Sequence, residues 1–270
     1  MTVREIACKS VLTETGLPAD YAINCYVGCA HGCRYCYARY MKRFTGHREP
    51  WGEFVDVRVN APDVLARELR RRPAASVILS SVCDGWQPLE AQYHVSGRCV
   101  ELLVNAGWHV SILTKSALVR EVLPILEGRP ADIGATVTAS DERLRRVIEP
   151  GASPTLERLD MLREAAARGI RVWVFLGPFL PGLTDTKENL EALMAEVARL
   201  PVSHIYSDRV NFRSGVAASL QEMAREHFPE LAEEYQWLGR GGDEDRAYAD
   251  QLAARLSRAA GCHGLADRMR

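Results

Sequence analysis

Short β-branched, apolar runs recur down this chain, and each leads into a segment with helical spacing. Ser76–Ser81, Val110–Thr114, Ile133–Thr138, Val172–Leu176 and His204–Val210 read as strands, with a sixth over residues 21–28. Runs of this kind mark strands buried on both faces. The intervening helices fall at Ala38–Phe44, 61–71, Ser96–Asn105, Leu118–Glu127, Pro154–Arg168 and Thr186–Leu200. Asn60 is placed to cap the second of these, and Ser153 to cap the fifth with Pro154 in its first turn. Alternating strands and helices imply βαβ units, a parallel sheet and right-handed crossovers. Periodicity alone admits two architectures, a partial barrel and a doubly wound open sheet. The remainder, Val216 to Arg270, reads as helices. There Tyr248, Leu252 and Leu256 form a stripe, and the pair Gly241-Gly242 breaks the chain ahead of it.

The first strand runs into Cys29-Ala30-His31-Gly32-Cys33-Arg34-Tyr35-Cys36-Tyr37, where three cysteines stand in a C-x3-C-x2-C spacing. Three thiolates within eight residues can converge on an iron–sulfur cluster or on zinc. Three is one short of a closed tetrahedral site, so a cluster held this way keeps one iron open. A Cys3His zinc site completed by His31 or His47 is the competing reading.

The cysteine loop, with Tyr35 just ahead of its last cysteine, resembles the signature of radical S-adenosylmethionine (SAM) enzymes. The frame from Asn24 to Arg39 is similar to the spore photoproduct lyase-like branch, and the likeness continues in Asp84–Glu90, Leu113–Ser116 and Glu149-Pro150-Gly151. The resemblance implies a partial (β/α)6 barrel of parallel strands over residues 1–214, followed by a helical C-terminal extension over 215–270. It implies a [4Fe–4S] cluster on Cys29, Cys33 and Cys36, with SAM chelating the open iron. A one-electron reductant such as flavodoxin or ferredoxin is the implied partner. The implied chemistry is reductive cleavage of SAM to a 5′-deoxyadenosyl radical that abstracts hydrogen from substrate.

Functional groups of parallel α/β folds gather at the carboxyl ends of strands. Cys83, Asp84 and Gln87 follow the second strand here, Lys115 and Ser116 the third. Thr138 and Ser140 end the fourth, Pro178 and Pro181 follow the fifth, and Asn211 and Arg213 the sixth. Under the family pattern Lys115 pairs with the SAM carboxylate, since a compact ammonium suits a point-charge partner. Asp84 sits near the methionine amine, Thr138 and Ser140 reach the ribose, and Tyr35 or Tyr37 packs beside adenine. Spore photoproduct lyases carry a hydrogen-donor cysteine in the region of Cys83, which stands one residue out of their register. Tyr26, Tyr93 and Tyr206 are further radical-relay candidates.

Composition narrows the setting. No apolar run is long enough to span a bilayer and the N-terminus lacks a signal-peptide core, so a cytoplasmic protein with reduced thiols is expected. A net charge of −1 offers no global sign of nucleic-acid binding. The arginine run at Arg70-Arg71-Arg72 fits a helix end, where positive charge complements the dipole, as well as a phosphate contact. DNA photoproduct repair is the alternative substrate reading. It needs a wedge and an aromatic-lined pocket, for which Trp51, Trp86, Tyr93 and Phe179 are available. The reading preferred is SAM cleavage serving an unidentified substrate, without robust photoproduct repair.

Overall fold

The computed structural model describes residues 1–212, 215–237 and 243–270; Arg213, Gly241 and Gly242 lie outside the described residues. The chain begins with β1 (Thr2–Ile6), β2 (Thr13–Glu14), β3 (Tyr21–Ile23) and β4 (Tyr26–Val27), then a 3-10 helix over Tyr37–Phe44 and β5 (Phe54–Arg58). Helix α1 (Ala61–Leu69) leads to β6 (Ser76–Leu79), then α2 (Glu90–Tyr93) and α3 (Val95–Asn105) lead to β7 (His109–Thr114). A 3-10 turn and α4 (Leu123–Leu126) precede β8 (Ala131–Val137); α5 (Glu142–Ile148) and α6 (Thr155–Ala167) precede β9 (Arg171–Phe179). Helix α7 (Lys187–Ala198) reaches β10 (Ile205–Arg209), and α8 (Val216–His227), α9 (Ala232–Trp237) and α10 (Asp243–Cys262) close the chain.

Six strands stand in chain order, β3-β6-β7-β8-β9-β10, every neighbouring pair parallel, with β2 antiparallel on the β3 edge. Sequential parallel order is the partial-barrel arrangement, not the doubly wound one, whose strand order reverses at a switch point. The sheet ends at β2 and β10 and does not close. Strand β8 is buried along its whole length, as its apolar run requires.

Some local readings change. Residues 21–28 are two strands in different sheets, because β4 leaves the barrel to pair with β5. The three-stranded sheet β1-β5-β4 had no clear sequence signal, since β1 is a short edge strand facing water on most of its length. The helix expected over Leu118–Glu127 is a 3-10 turn followed by one α-helical turn. Asn60 stands at the N-cap position of α1 as expected, but its side chain makes no capping bond; its amide brackets Cys8 instead, accepting from the Cys8 N–H at 2.8 Å and donating to the Cys8 carbonyl at 3.0 Å. Ser153 stands one residue before the observed cap, Pro154, and its hydroxyl accepts from the Ala117 N–H at 2.9 Å.

The C-terminal helices share a core with the barrel. Val216, Leu220, Met223 and Tyr235 pack in one cluster with Cys33, Tyr35, Ala139 and Leu180. The Leu252 and Leu256 stripe is buried, and the Arg255 guanidinium donates to the Asp185 carboxylate at 3.1 Å. No described helix is long and apolar enough to cross a membrane.

Candidate functional site

The cysteine loop is built from two tight turns, with Gly32 N–H donating to the Cys29 carbonyl and Cys36 N–H to the Cys33 carbonyl, each at 3.2 Å. Three outside segments hold it. Gln87, fully buried, accepts from the Ala30 N–H at 2.7 Å. The turn after α5 bonds it twice, through Gly151 N–H to the His31 carbonyl and Arg34 N–H to the Ile148 carbonyl, both at 2.9 Å. The segment before β5 presses on it at Gly52, where a Cβ would stand 2.8 Å from the Gly32 Cα and φ is +100°. A Cβ on Gly151 would meet the Ala30 carbonyl at 2.3 Å. Glycine at these two positions is what lets the flanking chains approach.

Beneath the loop lies a buried network that the sequence did not suggest. Glu149 and Arg158, both fully buried, pair at 2.5 Å. Arg158 also donates to the Thr136 and Ser153 carbonyls, and buried Arg145 donates to the Glu149 and Ala152 carbonyls. Tyr35 donates its hydroxyl to Glu149, and Thr138 Oγ1 lies 2.9 Å from Glu149 and 2.7 Å from the Gly177 carbonyl. Burial pushes the Glu149 carboxyl up, but the charges of Arg158 and Lys115 prevail and bring it down to about 2. Glu149-Pro150-Gly151 therefore supplies a charged anchor and a close-contact glycine three residues long. Its only legible trace was the motif itself.

The residues named from sequence converge on this region, although several do other work there. Asp84 is buried and spends both oxygens internally. Oδ1 accepts from Thr114 Oγ1 at 2.7 Å and Trp86 N–H at 2.9 Å, Oδ2 from Lys115 N–H at 2.8 Å. It ties the second and third strand ends together. Tyr35 and Thr138 are buried under the loop, and their hydroxyls are bonded to Glu149. Tyr37 is half-exposed and donates to the Ser81 carbonyl. Ser140 is exposed, with its N–H and hydroxyl both donating to Asn189. Asn24, unremarked in sequence beyond its motif, accepts from the Ser81 and Val82 N–H groups at 2.9 Å and so pins the loop carrying Cys83.

Lys115 differs from all of these. Its ammonium has no hydrogen bond or ion pair among the described residues and lies 5.7 Å above the Tyr35 ring. Burial works to lower its pKa, yet the nearby Cys33, Glu149, Asp84 and Cys36 raise it, so it is a cation.

The donor set suits an iron–sulfur cluster. All three loop cysteines are free thiols, pushed up in pKa first by burial, Cys33 to about 12. Arg34 Nε and Trp51 Nε1 are buried without hydrogen-bond partners, and cluster sulfurs accept such bonds; His31 Nδ1 faces Asp84 Oδ2 at 3.4 Å. The Trp51 indole bears on Cys36 and lowers its pKa against burial. His47 cannot complete a zinc site here: its nitrogens lie 2.8 Å from Asp56 and 3.2 Å from Glu49, and its ring stacks on Phe54 at 4.2 Å. Among the described residues no three His, Cys, Asp or Glu groups surround a single-ion position.

Comparison with known proteins agrees with this geometry. Residues 23–195 match the family model described as Radical SAM superfamily. A protein of Mycobacterium tuberculosis, termed uncharacterized, is 31% identical over 272 residues, covering 95% of this chain and 79% of that protein. A second, from Methanocaldococcus jannaschii, is 30% identical over 185 residues, covering 68% of this chain and 70% of that protein. Among solved structures, a spore photoproduct lyase complexed with dinucleoside spore photoproduct shares the fold, with a TM-score of 0.72 at 16% identity over 98% of this chain and 80% of that one. The chain belongs to the radical SAM superfamily. It is therefore an enzyme of the class that uses a [4Fe–4S] cluster, SAM and an electron donor, which sets aside the zinc-stabilised binding protein.

Proposed function

We propose that Cys29, Cys33 and Cys36 hold the cluster and that Lys115 binds the SAM carboxylate, in an enzyme that abstracts hydrogen from a substrate other than a DNA photoproduct. The observation that carries this reading is the Lys115 ammonium, a cation among three thiols with no carboxylate of its own. The Lys115 side chain is half-buried, and an anionic ligand would supply the counter-charge it lacks. When bound, the cluster and SAM supply one-electron reductive cleavage that generates a carbon radical for hydrogen abstraction. The protein's contribution is placement. The Glu149 network fixes the floor, Asp84 fixes the strand end that carries Lys115, and Asn24 fixes the loop that carries Cys83.

Cys83 is the proposed hydrogen donor. Its sulfur lies 3.6 Å from Asn24 Oδ1, and burial pushes its thiol up to about 12. A thiol with that pKa keeps its S–H across the neutral range, as a hydrogen-atom donor must. A flavodoxin or ferredoxin is the proposed reductant. Against a lesion-extruding role stand Trp86 and Phe179, two of the four aromatics available for a base pocket, which are fully buried.

The test is anaerobic reconstitution with iron and sulfide analysis and electron paramagnetic resonance. One cluster per chain and 5′-deoxyadenosine formation with dithionite are expected; stoichiometric zinc without a cluster signal overturns the assignment. Deuterium tracking into 5′-deoxyadenosine, with photoproduct DNA and with cell-extract fractions, separates the substrate readings. Rapid label transfer from the DNA lesion restores the lyase reading.

A further inference from the structure

The surface that begins at Cys36 has a charge pattern found nowhere else in the chain. From Tyr21 to Arg48 there is no Asp or Glu, although these make up 35 of the 270 residues. The same stretch carries Arg34, Arg39, Lys42, Arg43 and Arg48 in a protein of net charge −1. Among the described residues none of the five is in an ion pair. Elsewhere arginines find carboxylates readily, as Arg120 does with Glu164, Arg199 with Glu196 and Arg255 with Asp185.

Aromatic side chains are interleaved with these cations. The 3-10 helix Tyr37–Phe44 contains no acidic residue and presents Tyr37 47% exposed and Phe44 66% exposed. The Arg43 guanidinium lies 4.6 Å from the Phe44 ring and 5.6 Å from the Tyr40 ring, which holds an exposed cation in an ordered place. Arg39 is turned inward onto the Cys33, Arg34 and Cys36 carbonyls at 3.0–3.4 Å. It anchors the helix to the cysteine loop and leaves Arg43 and Arg48 exposed, with the half-buried Lys42 donating its ammonium to the Arg48 carbonyl at 3.0 Å. Exposed Tyr, Phe and Arg with no Asp or Glu in the same segment, Glu49 at its end being bonded to His47 and to the Arg48 N–H, is closer to the composition of an interface core than to that of an ordinary solvated surface.

We infer that the face formed by Tyr37, Tyr40, Lys42, Arg43, Phe44 and Arg48 is the docking surface for an acidic one-electron carrier protein. The inference rests on the cluster assignment above. The Arg39 bonds to the Cys33, Arg34 and Cys36 carbonyls hold this helix against the cysteine loop, so a carrier seated on it is beside the cluster residues. Complementary charge steers such encounters and fixes orientation. A carrier seated there would pass one electron from its own reduced cofactor to a cluster held by Cys29, Cys33 and Cys36, with no bond made or broken.

The test compares reconstituted wild type with Lys42→Glu/Arg43→Glu/Arg48→Glu, Phe44→Ala and, as a distant control, Lys187→Glu. The probes are a purified flavodoxin and a ferredoxin, both of net negative charge, and a DNA duplex, each titrated by calorimetry at two salt concentrations. The charge-reversed variant is expected to bind a carrier about tenfold or more weakly and to lose the salt dependence. Its iron content and its dithionite-driven 5′-deoxyadenosine yield should match wild type, and the control should bind normally. Phe44→Ala keeps every charge, so it reads the face even if the triple variant folds poorly. Equal carrier affinity in all variants, no carrier binding by wild type, or loss of DNA binding with carrier binding intact overturns the docking assignment. Failure of wild type to cleave SAM with dithionite overturns the cluster reading instead.

Discussion

The two sides of the cysteine loop make opposite use of charge. On the inner side, among the described residues, the carboxylates are matched: Glu149 meets Arg158, Tyr35 and Thr138, while Asp84 meets Thr114, two backbone amides and His31. The Lys115 ammonium is not. On the outer side Lys42, Arg43 and Arg48 form no ion pair among the described residues. A matched, buried network is rigid and expensive to disturb; an unmatched surface costs little and remains available to a partner. Among the described residues the loop thus has a matched floor and a cationic exterior without ion pairs, with the Lys115 ammonium between them.

The largest effect should come from the floor. Glu149→Gln leaves Arg158 buried without a counter-charge and is expected to cost about 3–5 kcal/mol in thermal or denaturant unfolding. The pH dependence has a definite sign. Glu149 is held near 2 in the folded chain, below its unfolded value of about 4.3. Its stabilisation is therefore present above about pH 4.3 and lost as pH falls towards 2; Glu149→Gln should flatten that part of the acid-stability curve. A variant as stable as wild type would show the network to be ordinary packing.

Next is Gly52→Ala, which adds a Cβ 2.8 Å from Gly32 at a φ of +100°. A loss of about 1–3 kcal/mol is expected, with lower iron retention than a similarly destabilised variant remote from the loop. Full iron retention would detach Gly52 from the cluster site.

Lys115→Ala should break the symmetry between stability and function. Removing an unpaired, half-buried cation is expected to leave unfolding within about 1 kcal/mol of wild type, while SAM affinity falls about tenfold or more and iron content holds. Equal SAM affinity would remove Lys115 from the site. The smallest structural effect belongs to Cys83→Ser, expected to cost about 1 kcal/mol. Its signature is chemical: deuterium return from solvent-exchanged thiol to product should disappear. Unchanged label distribution would leave Cys83 a packing residue.

Much of the architecture was legible because its signals are local. Apolar runs marked the six barrel strands, whose sequential order follows once each crossover is short. The cysteine spacing and its flanking residues were enough for the family. The helix Tyr37–Phe44 was visible too, but its charge imbalance acquires meaning only beside an exposed surface. Strand β1 escaped because a short, wet edge strand has no hydrophobic period to read.

The roles of Glu149, Arg158, Asp84 and Asn24 belong to tertiary structure. A carboxylate in sequence can cap, pair, ligate or face water, and which it does depends on what the fold brings within about 3 Å. Tyr35 and Thr138, 103 residues apart, approach to 3.3 Å between hydroxyls only because the loop folds down onto the fourth strand end. Sequence alone determined the βαβ order and the sulfur-bearing loop. The packing of the 148–153 turn and of Gly52 against that loop decided which polar residues became its floor and left Lys115 without a partner, because close approach and burial are properties of juxtaposed backbones and not of any residue's type.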